Sequence, residues 1–112
     1  MTRKNMREYA QKFLGEATKD DKGKPALSLL PRSAVEEIAA VLEMGAQKYG
    51  RDNWKEGMHW TRLIDAALRH IYAFADKEDI DPESGITHLA HAATNLMFLL
   101  EYYKKQKGED DR

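Results

Sequence analysis

The stretch LSLLPRSAVEEIAAVLEMGAQKYG, Leu27 to Gly50, decides the fold class. Ser33 followed by Glu36, just after Pro31, has the spacing of a capping box, in which hydroxyl and carboxylate satisfy exposed backbone amides reciprocally. Val35, Ile38, Ala39, Leu42, Ala46 and Tyr49 then recur at steps of three and four, one face of a helix, and Gly50 suits the left-handed backbone that closes it. A helix over 34–49 is predicted.

Toward the C-terminus the same period returns twice. TRLIDAALRHIYAFA, Thr61 to Ala75, places Leu63, Ile64, Ala67, Leu68, Ile71, Phe74 and Ala75 on one arc, and Asp65 stands four residues before Arg69 as an expected ion pair. In the acidic connector DKEDIDPESG, Asp81-Pro82 reads as a cap with proline at the first helical position, so a third helix is expected over 84–105, with Thr87 as the other possible start. It ends in the polar tail KKQKGEDDR. Toward the N-terminus, Met6, Tyr9, Phe13 and Leu14 fall near one face of a short amphipathic helix, followed by the polar linker GEATKDDKGKP. No stretch alternates with the period of a strand. The expected fold is all-α, a small bundle of three long helices: arm and linker at 1–23, a helical nucleotide-binding domain at 24–106 and a polar tail at 107–112.

A chain of 112 residues suits one domain with one modest core. Lys and Arg total 18 against 19 Asp and Glu, which leaves no basic footprint for duplex nucleic acid. There is no cysteine, hence neither disulfide nor thiolate metal site, and no apolar run approaches the roughly 20 residues that span a bilayer. A cytoplasmic protein without a membrane partner is expected. A three-helix core of this size is marginal, and Tyr72, Phe98, Tyr102 and Tyr103 add apolar girth on further faces, so a homo-oligomer with pockets shared between protomers is expected.

Four constellations carry chemistry. His88, His91 and Asn95 share a helix side where core residues belong. Two imidazoles one turn apart can ligate a metal, but no third ligand is fixed by the sequence. A pocket floor facing a purine edge, or a knot of mutually satisfied polar groups, suits them better. Lys48 at the end of the 34–49 helix and Arg51, Asn53, Trp54 and Lys55 of the following loop GRDNWKEGMHW stand beside glycines that permit close backbone approach, a set fit to hold phosphates and stack a base, or else a surface loop whose tryptophans plug the bundle. Arg62, Asp65 and Arg69 stripe the outer face of the second helix and suit an anionic ligand or a partner subunit, while His70 borders the buried arc as a packed histidine. Glu36, Glu37 and Asp65 are the carboxylates to which an enzyme reading would assign a divalent metal, with Glu37 and Asp65 catalytic. The acidic run at Glu78, Asp79, Asp81 and Glu83 adds ligands only if its loop folds back over the bundle.

The series KPALSLLP, GAQKYGRDNWKEG, LIDAALRHIYAF and EDIDPESGITHLAHAATN, spanning about residues 24–102, resembles the phage dATP/dGTP diphosphohydrolase N-terminal domain family. The resemblance implies a phage or prophage origin and a purine-nucleotide context. It also implies a link to the MazG-like all-α nucleotide pyrophosphohydrolases, whose Mg²⁺ site resembles ExxE on one helix and ExxD on the next. Here no ExxE exists, and the one ExxD, Glu78 to Asp81, falls in a predicted loop. That gap favours a protein that captures a purine nucleotide without turnover and without a cofactor, sequestering a host cyclic or modified nucleotide signal. The alternative is a dATP/dGTP diphosphohydrolase dependent on Mg²⁺ or Mn²⁺.

Overall fold

The computed structural model describes residues 2–13, 15 and 17–112, with 9–13 described by backbone alone. It is all-α, four helices and no strands among the described residues, and divides into two compact units, Met1–Leu30 and Pro31–Arg112. In the first unit, helix α1 (Arg3–Phe13) starts where the Thr2 hydroxyl accepts the Asn5 amide at 3.1 Å. Arg7 of α1 pairs with Asp21 of the linker, and a single 3-10 turn follows at Leu27–Leu29. The expected apolar face of α1 included Leu14 and the side chains of Tyr9 and Phe13, which lie outside the described residues.

In the second unit, α2 (Arg32–Tyr49), α3 (Trp60–Ala75) and α4 (His88–Lys105) follow in order, and α4 packs against both α2 and α3. The expected capping box is not formed. Pro31 occupies the cap position and its carbonyl accepts the Val35 amide at 3.1 Å, so Ser33 already lies inside the first turn and Glu36 bonds Arg32 at 2.6 Å instead. The inward stripe of α2 is correspondingly displaced: Val41 is its buried residue, whereas Val35 and Tyr49 are exposed. On α3, Leu63 and Ala67 are buried as expected, but Leu68, Ile71 and Phe74 face outward, and the expected ion pair of Asp65 and Arg69, both exposed, is not among those formed by the described residues.

The core gathers where α3 starts and α4 ends. Trp60, Leu63 and Tyr102 are buried there, with Trp54, Met58, Phe98 and Leu99 packed on them. The C-terminal residues, although exposed, clasp the same corner. The Trp60 amide donates to the Glu109 carbonyl at 2.9 Å and the Trp60 indole N–H to the Lys107 carbonyl at 2.9 Å. No side chain of the chain just before α3 caps it, and Asp111 takes that part by accepting from the Thr61 amide at 3.0 Å and the Thr61 hydroxyl at 2.6 Å. Gly108 (φ +74°) makes the clasp possible, since a Cβ there would run into the Met58 carbonyl.

Candidate metal centre

The opposite end of α4 carries polar groups, and the connector before it explains their placement. Asp81-Pro82 does not open a helix. The Asp81 carboxylate accepts the Glu83 amide at 3.1 Å and the Ser84 hydroxyl at 3.3 Å, which closes a tight turn, and Gly85 takes φ +73° to complete it. The chain then doubles back: the Asp81 amide donates to the Ile86 carbonyl at 2.9 Å and the His88 amide to the Asp79 carbonyl at 3.0 Å. Helix α4 begins only at His88, with the Thr87 hydroxyl as its cap, 3.1 Å from the Ala90 amide. The loop has folded back over the bundle, the condition on which its carboxylates become available to a site.

Three side chains from three elements converge as a result. His70 of α3, Asp81 of the loop and His91 of α4 each offer a ligand atom, and these atoms lie within 4.8 Å of one another. Three atoms bound to one ion at about 2.1 Å lie about 3.0–3.6 Å apart, so the side chains would draw in by on the order of an ångström around an ion. The rings of His70 and His91 stack with centroids 4.6 Å apart, the His91 Nε2 lies 3.4 Å from the Asp81 Oδ2, and the Ser84 Oγ stands 2.7 Å from the same nitrogen. His91 is 6 % exposed, which shields the group from bulk water on the α4 side.

The ionisation states suit cation binding. Burial pushes the His70 imidazole below its ordinary value, assisted by the neighbouring His91 and His88, and burial does the same to His91 against the pull of Asp81. Burial alone would raise Asp81, but the Glu83 amide, the Ser84 hydroxyl and the two imidazoles outweigh it and hold the carboxyl below the usual range. The group therefore presents one carboxylate and two neutral imidazoles. Two nitrogens and one anionic oxygen suit Mn²⁺, Co²⁺, Ni²⁺ or Zn²⁺ better than Mg²⁺, which prefers an all-oxygen shell.

The other residues singled out from the sequence fall into two sets. Around the doubled-back loop, the Lys48 Nζ lies 3.5 Å from the Glu83 carboxylate, the Glu37 carboxylate accepts the Thr87 amide at 3.3 Å, and His88 bonds both His70 and Glu78. Asn95 donates to the His91 backbone carbonyl at 2.8 Å, a bond within α4. Trp54 and Lys55 lie elsewhere: the Trp54 carbonyl accepts the Tyr102 hydroxyl, eleven residues along α4 from His91, about 16 Å at 1.5 Å per residue. Trp54 stacks on Phe98 with centroids 4.5 Å apart, and Lys55 pairs with Asp52 at 3.2 Å. With Glu101, Lys105 and Lys107 they line a shallow cleft of their own. Arg51, Asn53, Arg62 and Arg69 lie outside the converging group, Arg51, Asn53 and Arg69 exposed and Arg62 at the surface of α3's first turn.

The carboxylates expected to hold a metal do not converge. Glu36 is exposed and taken up by Arg32, Glu37 serves the start of α4, and Asp65 sits on the outer face of α3; among the described residues the converging group is His70, Asp81 and His91. The sequence places His91 in a candidate site, suggests a packed histidine at His70, and offers Asp81 either as a helix start or, with its loop folded back, as a ligand. The available signal was the DPESG turn: an aspartate that bonds the amide and hydroxyl two and three residues on reverses the chain, and so carries its carboxylate toward α3.

The family model described as dATP/dGTP diphosphohydrolase, N-terminal, matches residues 15–112. A protein of Salmonella phage PMBT28, named dATP/dGTP diphosphohydrolase, is 45% identical over 94 residues, which cover 84% of this chain and 32% of that protein. The chain thus spans about a third of the relative's length. No solved structure matches. The relative's name overturns the expectation of nucleotide capture without turnover and backs the hydrolase alternative. That expectation rested on the missing ExxE pattern, which excludes one donor arrangement but leaves a histidine-containing one open. No helix of the described residues is long and apolar enough to cross a membrane.

Proposed function

We propose that this chain, which belongs to the dATP/dGTP diphosphohydrolase N-terminal family, takes part in metal-dependent hydrolysis of a purine deoxynucleoside triphosphate to the monophosphate and pyrophosphate. The observation that carries the reading is the convergence of His70, Asp81 and His91, the donor group that a diphosphohydrolase would need and that the helix carboxylates do not supply. His70, Asp81 and His91 would hold a divalent ion, which would supply positive charge for the polyphosphate and lower the pKa of a water bound to it. In the reaction a bond forms between water oxygen and phosphorus, the bridge between the α and β phosphates breaks, and one proton passes to solvent.

The chain's own groups have separable parts. Asp81 contributes the negative charge of the site, His70 and His91 contribute neutral nitrogens, and the Glu83 amide and Ser84 hydroxyl fix the carboxylate's direction. Lys48, paired across to Glu83, stands beside the loop where it can turn to a phosphate oxygen, and exposed Arg51 follows it just beyond α2. Work on a substrate of this size also calls for a wider surface than one small unit offers. Large apolar side chains left exposed on α4, Leu89, Leu96, Leu100 and Tyr103 among them, suit further copies of the chain or the remainder of a longer protein, acting in the host cytoplasm.

The test is incubation of the protein with dGTP or dATP and Mn²⁺, with products separated by chromatography. Monophosphate and pyrophosphate, lost in a His91→Ala variant that remains helical, support the reading. Recovery of intact nucleotide, or release of orthophosphate, overturns it.

A further inference from the structure

A second pair of titratable side chains sits behind the candidate metal centre without entering it. His88 is 5 % exposed; its Nδ1 lies 2.8 Å from the Nδ1 of His70, and its Nε2 lies 2.8 Å from the Oε1 of Glu78. Close as it is to His70, His88 does not belong to the converging group of His70, Asp81 and His91. Two like nitrogens at that separation form one hydrogen bond, so one ring must donate and the other accept. Which does so fixes the free nitrogen of His70.

We infer that Glu78 and His88 form a relay that sets His70 in the tautomer protonated on Nδ1, leaving the Nε2 lone pair for a divalent ion; the inference rests on the reading of His70 as a ligand. An ionised carboxylate only accepts, so the His88 Nε2 carries the proton that it donates to Glu78. A neutral His88 then has a lone pair on Nδ1, which accepts from the Nδ1–H of His70. That proton leaves the Nε2 as the basic nitrogen of His70 and therefore its ligating atom. The arrangement extends by one imidazole the usual carboxylate support of a metal-bound histidine, in which the outer partner orients the ring and raises its basicity.

Glu78 is the test position, because its side chain is 55% exposed and belongs to the loop before α4, so Glu78→Gln leaves the packing between helices untouched. The substituted amide has no charge with which to hold the His88 proton, and the preference should relax. Long-range ¹H–¹⁵N spectra of the metal-free chain, at a pH well above the imidazole range, should show His70 protonated on Nδ1 and His88 on Nε2, with both becoming tautomer mixtures in Glu78→Gln. Titration with Co²⁺, followed by its visible bands, should show affinity about tenfold weaker in the variant, the scale of an outer-shell partner. Helix content by circular dichroism should be unchanged. A parent chain with His70 protonated on Nε2 overturns the relay, as does a variant that matches the parent in tautomer or in Co²⁺ affinity. These readouts need no substrate: a relay found in a chain that fails to turn over dGTP leaves the inference standing and the hydrolase reading refuted, and the reverse result does the opposite.

Discussion

Replacing Asp81 by asparagine separates the fold of the loop from its chemistry. The new side chain keeps a carbonyl oxygen for the Glu83 amide, which lies 3.1 Å from the Asp81 Oδ1, and presents an amino group where Oδ2 lies 3.3 Å from the Ser84 Oγ and 3.4 Å from the His91 Nε2. The Ser84 hydroxyl can reverse, accept from that amino group and donate to His91 across 2.7 Å, so no buried polar atom is stranded. The net loss is on the order of one hydrogen bond, about 1 kcal/mol. In a unit of this size that lowers the melting temperature by roughly 4–8 °C. The effect on a bound ion is larger, because the site loses its anionic ligand. Outer-shell changes alone weaken metal binding by about 10–100-fold, so loss of a direct ligand should exceed about 100-fold. Calorimetric titration with Mn²⁺ and thermal melts of the metal-free chain measure the two quantities separately. An Asp81→Asn chain that binds Mn²⁺ within a few-fold of the parent would refute the assignment of Asp81.

Three further outcomes follow from the geometry. Gly108→Ala forces a side chain into left-handed backbone and against the Met58 carbonyl, at a cost of about 1–2 kcal/mol for the backbone alone; hydrogen exchange should lose protection at Trp60 and Glu109, and an unchanged melting temperature would contradict the clasp. The metal-free chain should lose stability as pH falls below the ordinary imidazole value of 6.5, since the unfolded chain then binds protons that the depressed His70 and His91 decline, and Asp81 should extend the loss at lower pH; urea midpoints that stay flat from neutral pH to below the imidazole range would rule this out. The apolar residues exposed along α4 predict a mass above the 12.9 kDa of one chain by light scattering at micromolar concentration, and a mass of one chain throughout that range would count against assembly.

The helices were legible because their signal is local. Repeats at three and four residues announce α2, α3 and α4 wherever the chain is read, and α3 begins within one residue of its expected start. Faces were less legible: the same apolar repeat on α2 allows a rotation that buries Val41 and exposes Val35, and only the packing of α4 selects it. Caps depended on where a proline falls. Pro31 takes the cap position that Ser33 was expected to fill, and the cap of α3 comes from Asp111, fifty residues downstream, which no local pattern reveals. The candidate centre was half legible. His91 announced itself as a polar group on an apolar face, but its companions His70 and Asp81 lie 21 and 10 residues away and meet it only because the DPESG turn reverses the chain.

The most direct test of the account is a crystal of the full chain grown with Mn²⁺ and measured at the manganese absorption edge. The expected result is an anomalous peak bound by the Nε2 of His70, an Asp81 carboxylate oxygen and the Nε2 of His91, each at about 2.1 Å. A peak held instead by Glu36, Glu37 or Asp65, or no peak at Mn²⁺ concentrations that support hydrolysis of dGTP, would contradict it.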